Sequence, residues 1–222
     1  MSAIQIEVVS DVVCPWCFIG KRHLDDALEA WRRDHPEHPV TVSWRPYFLN
    51  PDTPLEGEPY RPFLEQKFGS SQEVDAILAR VAAAGLKAGV VFAFERITLR
   101  ANTLRAHRLI HHAQKVGSGE TAVKQLVEHL FAANFQIGDY VGDIGVLTKI
   151  AGECGLEEAS VRAYLESDQD ADEIRAIADE AKRMGVASVP TFIFNRRFAV
   201  TGAQAPEQLR QALEQAAGIA AT

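Results

Sequence analysis

Two cysteines separated by two residues form the most chemically suggestive motif of this 222-residue sequence. Cys14-Pro15-Trp16-Cys17 follows a predicted strand and precedes residues with helical spacing, and Pro15 suits a first helical turn. A sulfur at a helix N-terminus faces unpaired N–H groups and the positive end of the helix dipole, which favour the reactive thiolate. The second sulfur, one turn away, can attack a mixed disulfide formed by the first. We predict a redox dithiol with Cys14 as the exposed nucleophile, Cys17 as the buried resolving thiol, and Pro15 and Trp16 as supporting residues.

A third cysteine and two histidines raise the question of a metal site. A structural zinc site needs a second cysteine or histidine pair, but only Cys154 remains after Cys14 and Cys17. His107 and His111 can share a helix face, yet no third ligand is evident, so we interpret them as polar helix residues. Cys154 ends an apolar helical stretch and is predicted to be a buried free thiol. A regulatory disulfide between Cys154 and Cys14 or Cys17 is the alternative. We predict no metal.

The second chemical signal is Val189-Pro190-Thr191, which precedes a later predicted strand. A proline entering a strand indicates a special backbone, and a cis bond is the interpretation we favour in a Cys-X-X-Cys protein. Such a bond would turn the backbone groups of Val189 toward a bound chain, so that a substrate pairs as an extra strand. An ordinary proline at the start of a strand is the alternative interpretation.

Periodicity predicts the elements that position these residues. Strands are predicted at 4–9, 40–49, 191–195 and 198–201, with a tight turn at 195–197, and 90–94 is ambiguous between a short strand and an extended loop. Helices are predicted from about 18 to the prolines at 36 and 39, and at 60–68, 71–86, 103–116, 120–136, 143–153, 158–167, 171–184 and 206–217. The strand–helix–strand start implies a parallel pair, and the closing hairpin adds antiparallel strands. We therefore expect an α/β fold with a mixed sheet flanked by helices.

Composition and charge narrow the partners. The formal net charge is −7, which disfavours nucleic acid as a partner. Apolar stretches are far shorter than the roughly 20 residues needed to span a bilayer, so no membrane association is predicted. The N-terminus has neither a basic start nor an apolar core typical of a signal peptide, so a cytoplasmic location is predicted. The sequence leaves open whether the protein is a monomer or a homodimer.

Taken together, the sequence resembles the DsbA-like branch of the thioredoxin superfamily, and within it the cytoplasmic FrnE-like group. The motifs that carry the resemblance are Asp11 with the CPWC sequence, Trp44 to Leu49, Asn102-Thr103, Ala106-His107, Val186 to Phe192, and Gly202-Ala203-Gln204. The resemblance implies a thioredoxin-like fold with a large all-helical insertion. It assigns 1–52 and 186–222 to a discontinuous thioredoxin-like domain and 53–185 to an inserted helical domain.

The resemblance also implies roles for further residues. Pro190 would be the cis proline that supports the active site, and Val189, Asn102, His107 and Gly202 would bind substrate. The implied partners are thiol or disulfide substrates, either proteins or low-molecular-weight compounds. No cofactor beyond the redox-active disulfide is implied, although glutathione is a candidate reductant.

Relatives of a different activity supply the main alternative. Kappa-class glutathione transferases and 2-hydroxychromene-2-carboxylate isomerases resemble this layout, but they typically carry serine in place of the first cysteine. They also tend to have an Asp-Arg pair after the glycine that corresponds to Gly202, where this chain has Ala203-Gln204. Both departures favour disulfide exchange. A glutathione-dependent isomerase or transferase acting on small aromatic substrates stays open, as does a zinc-binding adaptor without catalytic activity.

Overall fold

The computed structural model describes residues 3–219 and contains one mixed four-stranded sheet with helices packed around it. In chain order the elements are β1 (Ile4–Ser10), α1 (Pro15–Asp34), β2 (Val40–Pro46), β3 (Glu58–Pro59), α2 (Tyr60–Phe68), α3 (Ser71–Lys87), β4 (Leu99–Arg100), α4 (Leu104–Lys115), α5 (Glu120–Ala132), α6 (Ile144–Glu153), α7 (Glu158–Glu166), α8 (Ala171–Arg183), β5 (Thr191–Phe194), β6 (Phe198–Thr201) and α9 (Pro206–Ala217). A short 3₁₀ helix spans Phe94–Arg96, and a π-helical turn spans Ala133–Ile137.

The sheet has the strand order β2-β1-β5-β6. β1 pairs with β2 in parallel, with Ile4 opposite Val40, while β1–β5 and β5–β6 are antiparallel. The central strand β1 is buried at every position except Gln5, because elements cover both faces of the sheet. This topology confirms the mixed sheet predicted from the sequence, including its parallel pair and its closing hairpin.

The hairpin between β5 and β6 turns at Asn195 and Arg196, which both have positive φ angles of 50° and 55°. Two successive residues of this conformation match the right-handed twist of the paired strands. The Asn195 side chain fixes the turn, since it accepts from the Gln5 N–H at 2.8 Å and donates to the Ala216 carbonyl at 3.0 Å. The predicted tight turn at 195–197 is thus confirmed.

Two apolar cores meet at α1. One face of α1 packs with the sheet and α9, where Trp31 and Phe192 are fully buried. The other face packs with the helical block, and the Phe18 ring stacks on that of Phe131 with ring centroids 5.1 Å apart. Helix α1, which begins directly after Cys14, is therefore held from both sides. The domain bounds at 52/53 and 185/186 stay predictions.

The main differences between the structure and the sequence-based elements are the end of β2, the end of α5 and the short strand pair of β3 and β4. β2 ends at Pro46 rather than at 49, and the helix predicted at 120–136 changes to a π-helical turn after Ala132. The ambiguous 90–94 segment forms no strand and leads into the 3₁₀ helix. β3 and β4 form a two-residue antiparallel pair that local periodicity could not reveal, since Glu58 pairs with Arg100 far along the chain. Among the described residues, no helix combines the length and apolarity needed to cross a membrane.

Candidate active site

The redox loop joins the end of β1 to the start of α1. Cys14 is the N-cap residue of α1, and its Sγ accepts the Cys17 backbone N–H at 3.3 Å. The same Sγ lies 3.7 Å from the Val189 carbonyl oxygen, to which the thiol donates. Both cysteines are free thiols. The loop therefore brings the first sulfur to a helix N-terminus and against the segment that precedes β5.

Cys14 is only 4% exposed, so the prediction of an exposed nucleophile is wrong. Sequence periodicity could not show that the inserted helices α2 and α3 and the Val189 segment would form walls of a cavity beside the sulfur. Instead, Cys14 lines a partly open cavity, and Trp16, which also lines it, is the most exposed residue of the motif at 43%.

Cys17 is buried, as predicted, with 1% of its surface exposed. Burial raises the pKa of its thiol well above the ordinary value of 9.0, and the adjacent Cys14 sulfur raises it further. Hydrogen bonds from the Asp11 backbone and the Ser10 side chain lower this pKa but do not offset burial. Cys17 therefore stays protonated at neutral pH unless a base removes its proton.

The Val189–Pro190 peptide bond is cis, and Pro190 is buried against α1. Gly20 permits this approach, because a Cβ there would lie 2.8 Å from the Pro190 Cγ atom. Gly202, with a φ of 85°, donates its N–H to the Pro190 carbonyl at 2.8 Å. Gly202 therefore contacts Pro190 through its backbone, and it does not line the cavity that contains Cys14.

The cavity beside Cys14 has a volume of about 340 Å³. Its walls are mostly apolar side chains from α2 and α3 together with the redox loop and the segment 187–189, and two cationic residues, Lys67 and Arg100, also line it. Arg100 stacks over the Phe63 ring at 3.7 Å and pairs with Glu58, whereas Lys67 contacts the Asn50 side-chain oxygen at 3.2 Å. No aspartate or glutamate among the described residues lines this cavity. Because Arg100 is already paired with Glu58, the cavity suits an apolar group whose negative charge lies beside Lys67.

The structure places neither Asn102 nor His107 in the wall of this cavity. Asn102 accepts the Leu104 N–H at 3.0 Å and donates to the Thr53 carbonyl at 2.6 Å, so it organises the start of α4. His107 lies behind the redox loop, where its Nε2 is 3.3 Å from the Asp11 carboxylate. Val189, in contrast, does line the cavity and contacts Cys14.

Sequence reasoning assigned no role to several residues that shape the site. Asp11 is 1% exposed, and its second carboxylate oxygen accepts the Leu49 N–H at 2.9 Å. An acidic residue inside the apolar stretch before the motif was the available signal, since a buried carboxylate needs partners. For Lys67, Arg100 and Gly20 no local signal exists, because their roles depend on packing between distant segments.

Other groups with metal-binding or redox side chains lie away from the dithiol. His111, Asp170 and Glu173 bring ligand atoms within 4.8 Å of one another, but Lys115 sits 3.0 Å from Asp170 and already neutralises it. Cys154 is buried beside His129, and burial followed by the charge of the neighbouring Glu153 raises its pKa. Neither group includes Cys14 or Cys17.

Comparisons with known proteins agree with this geometry. A family model described as a DSBA-like thioredoxin domain matches residues 5–214. The chain is similar to a probable DsbA oxidoreductase from Streptomyces coelicolor, at 32% identity and a TM-score of 0.85, with 99% of this chain and 92% of that chain covered. Cytosolic disulfide reductase DsbM from Pseudomonas aeruginosa, in a structure with GSH, is similar at 18% identity and a TM-score of 0.68, with 97% and 100% covered. A structure of 2-hydroxychromene-2-carboxylate isomerase is similar at 13% identity and a TM-score of 0.69, with 98% of this chain and 100% of that chain covered. The last two likenesses concern the fold alone.

Proposed function

Since the chain belongs to the DSBA-like thioredoxin domain family, we propose that it exchanges thiols and disulfides through Cys14 and Cys17. The family and the S. coelicolor relative make it an enzyme of the thiol oxidoreductase kind, with the α/β thioredoxin-like fold and helical insertion predicted from its sequence. The finer assignment concerns which cysteine attacks the substrate first and which resolves the mixed disulfide. We assign Cys14 as the nucleophile and Cys17 as the resolving thiol.

The observation that carries this assignment is the position of the Cys14 sulfur at the start of α1. An N–H that donates to sulfur at a helix N-terminus stabilises the thiolate, which is the form that attacks a disulfide. Cys17 faces the opposite situation, because burial keeps its thiol protonated. Cys14 is therefore the sulfur better placed for the first attack, and Cys17 is the one that acts afterwards.

The reaction proceeds in two exchanges. The Cys14 thiolate attacks a substrate disulfide, so that a Cys14–substrate bond forms, the substrate S–S bond breaks, and one substrate thiolate leaves with the electron pair. Cys17 then attacks the Cys14 sulfur, forms the Cys14–Cys17 disulfide, and releases the second substrate thiol. The substrate is reduced by two electrons and the dithiol is oxidised. The reverse sequence oxidises a substrate dithiol.

The lining of the cavity supports a substrate class. Its apolar walls and Lys67 favour disulfides with an apolar portion and a nearby carboxylate, from a small molecule or a flexible peptide segment. Glutathione is a candidate reductant of the oxidised dithiol, and the structure of DsbM with GSH supports testing it first. Val189 would contact the bound substrate, because its carbonyl already lies beside the Cys14 sulfur.

A second candidate function is a glutathione-dependent isomerisation or transfer on a small aromatic acid. The observation in its favour is the same cavity, which is large enough for an aromatic ring beside Cys14 and has Lys67 in its lining. The presence of Cys17 one turn after Cys14 favours disulfide exchange, since isomerisation needs no resolving thiol.

Replacing Cys17 with alanine tests the assignment. The variant should accumulate mixed disulfides at Cys14 when it is mixed with oxidised glutathione or a disulfide peptide, because the resolving step is absent. Mass spectrometry of the intact protein and its peptides measures the adduct and its position. Cys154→Ala is the matched control and should turn over like the unaltered protein. Adducts that form on Cys154, or unchanged turnover without Cys17, would contradict the proposed dithiol mechanism.

A further inference from the structure

One buried polar side chain in the wall of the large cavity has no partner in the protein. Asn134 lines the cavity beside Cys14 and is only 4% exposed, and its carboxamide makes no hydrogen bond to another residue between positions 3 and 219. Its oxygen and nitrogen are not fully enclosed by protein, so they face open space, and the cavity is the space that Asn134 lines. Buried polar side chains are paired in the large majority of cases, so we expect the partner of this carboxamide to lie in the cavity.

The backbone that carries Asn134 is the π-helical turn Ala133–Ile137, which directly follows α5. Such turns are rare and occur frequently at functional sites. Hydrogen bonds on both sides hold this one in place. The Phe135 carbonyl accepts the Ala93 N–H at 2.8 Å, and the Gln136 side chain donates to the Val91 carbonyl at 3.2 Å. The position of Asn134 is therefore fixed by its neighbours, while its own side chain stays available.

The turn also packs on the helix that begins at the redox motif. Phe135 is 1% exposed, and its ring centroid lies 6.4 Å from that of Phe18, which directly follows Cys17 in α1. The carboxamide of Asn134 and the sulfur of Cys14 are thus held in the walls of one cavity by the same helix.

The other polar groups of the cavity differ from Asn134 in position or in pairing. Arg100 is paired with Glu58, and Lys67 is exposed and contacts the Asn50 side chain. A bound molecule therefore meets an exposed ammonium, apolar walls and a buried carboxamide. A carboxamide both donates and accepts, and an amide group of the ligand complements both functions, whereas an apolar group would leave Asn134 unpaired.

We propose that the Asn134 carboxamide binds an amide group of the substrate, so that Cys14 reacts preferentially with cysteine compounds whose nitrogen is acylated. This inference rests on the proposed dithiol function and adds a substrate class to it. A small acylated cysteine derivative and a cysteine within a flexible polypeptide share this chemistry. Asn134 acts on binding alone, and the two sulfur exchanges proceed as described above.

Two disulfides that differ in their amide groups test the proposal. N,N′-diacetylcystine and 3,3′-dithiodipropionic acid have the same disulfide and carboxylates, but only the first carries amides. Each is mixed with the reduced protein in a Cys154→Ala background, and the oxidation rate is followed by acid quenching, alkylation and mass spectrometry of the intact protein. Each rate is divided by the rate at which dithiothreitol reduces the same disulfide, which corrects for intrinsic reactivity. We expect the corrected rate to be about tenfold higher for the disulfide with amides, because the other leaves a buried polar group unpaired.

Asn134→Leu removes the carboxamide at similar volume. The variant should lose the preference, with a rate that falls about tenfold for diacetylcystine and stays nearly constant for dithiodipropionic acid. A change in packing alone would move both rates together. Thr148→Val is the matched control, because Thr148 is a buried residue of α6 whose hydroxyl also lacks a partner, and it does not line the cavity. This control should keep the preference.

Equal corrected rates in the unaltered protein would overturn the proposal, as would a folded Asn134→Leu protein that keeps the preference. If Asn134→Leu does not fold, Asn134→Ser shortens the side chain and should also lose the preference; a retained preference there overturns the assignment. Failure of both disulfides to oxidise Cys14 in the unaltered protein would instead refute the dithiol function itself.

A flexible peptide disulfide identifies the source of the amide. The peptide carries one central cysteine and is oxidised to its symmetric dimer. A corrected rate well above that of diacetylcystine assigns polypeptides as the substrate, whereas an equal or lower rate assigns small acylated cysteine compounds. Both results support recognition of an amide, provided that Asn134→Leu lowers the rate.

Discussion

Gly20 controls how closely α1 approaches the Val189–Pro190 segment, and Gly20→Ala should disturb that contact. An added Cβ would lie 2.8 Å from the Pro190 Cγ atom, 3.2 Å from the Phe192 ring and 3.5 Å from the Ala203 Cα atom. None of these groups can move easily, because the proline ring is stiff, Phe192 is fully buried, and the third atom belongs to the backbone. The substitution must therefore shift α1 or the segment that carries Pro190.

The expected size follows from two opposing effects. Alanine in a helix interior is favoured over glycine by about 1 kcal/mol. Adding a methyl group to a tightly packed site costs about 1–3 kcal/mol, and the contact at 2.8 Å puts this site in the upper part of that range. We therefore expect Gly20→Ala to lower the free energy of unfolding by about 1–2 kcal/mol.

Urea denaturation of the reduced protein measures this change. The rate at which Cys14 releases the coloured thiolate from 5,5′-dithiobis(2-nitrobenzoic acid) measures the effect on the reactivity of Cys14. That rate should change as well, because the Val189 carbonyl lies 3.7 Å from the Cys14 sulfur and moves with the segment. The control is Gly145→Ala in the first turn of α6, where the nearest atom is the Asp143 carboxylate oxygen at 3.0 Å, which caps the helix by accepting the Val146 N–H. Gly145→Ala should be neutral or stabilising by up to about 1 kcal/mol. If Gly20→Ala is as stable as this control and reacts at the normal rate, the packing argument is incorrect.

Two further predictions concern buried charges. Arg108 is 2% exposed and donates to four backbone carbonyls, those of Tyr164, Leu165, Ser167 and Gln169. Arg108→Met should therefore lower the free energy of unfolding by about 3 kcal/mol or more. A loss below about 1 kcal/mol in urea denaturation would contradict this role. Burial alone would raise the pKa of Glu7, but hydrogen bonds from Arg196 and Arg45 lower it below its ordinary value of 4.5. The resulting stability is present above the unfolded-state pKa and is lost as pH falls through the folded-state pKa, so Glu7→Gln should be less acid-sensitive than the unaltered protein. Urea denaturation between pH 3 and 7 checks this, and parallel pH profiles would count against it.

Local sequence patterns predicted the elements whose structure is determined by residues close to one another in the chain. The helices at 60–68 and 206–217 and the strand at 198–201 have the predicted bounds, because apolar periodicity and Pro206 mark them within a few residues. The β3–β4 pair escaped prediction, since two-residue strands carry no periodicity and their pairing joins positions 42 residues apart. The π-helical turn after Ala132 likewise depends on packing rather than on local preference.

The same distinction between local sequence patterns and long-range contacts applies to the candidate active site. The placement of Cys14 and Cys17 follows from strand, motif and helix in direct succession, and the sequence contains all three. The burial of Cys14, the pairing of His107 with Asp11 and the cations of the large cavity depend on contacts between segments far apart in the chain. Asn102 shows the same limit, because its motif is visible in the sequence while its use as a support for α4 is not.

The position of Cys14 in the wall of the cavity has a consequence for which disulfides this protein can handle. Because only 4% of Cys14 is exposed, a disulfide must enter the cavity beside it to reach the sulfur. A disulfide on a flexible terminus or in a small metabolite can do so, whereas one that lies flat on a rigid folded surface cannot. We therefore expect the protein to select its partners by the shape and mobility of the segment around the disulfide.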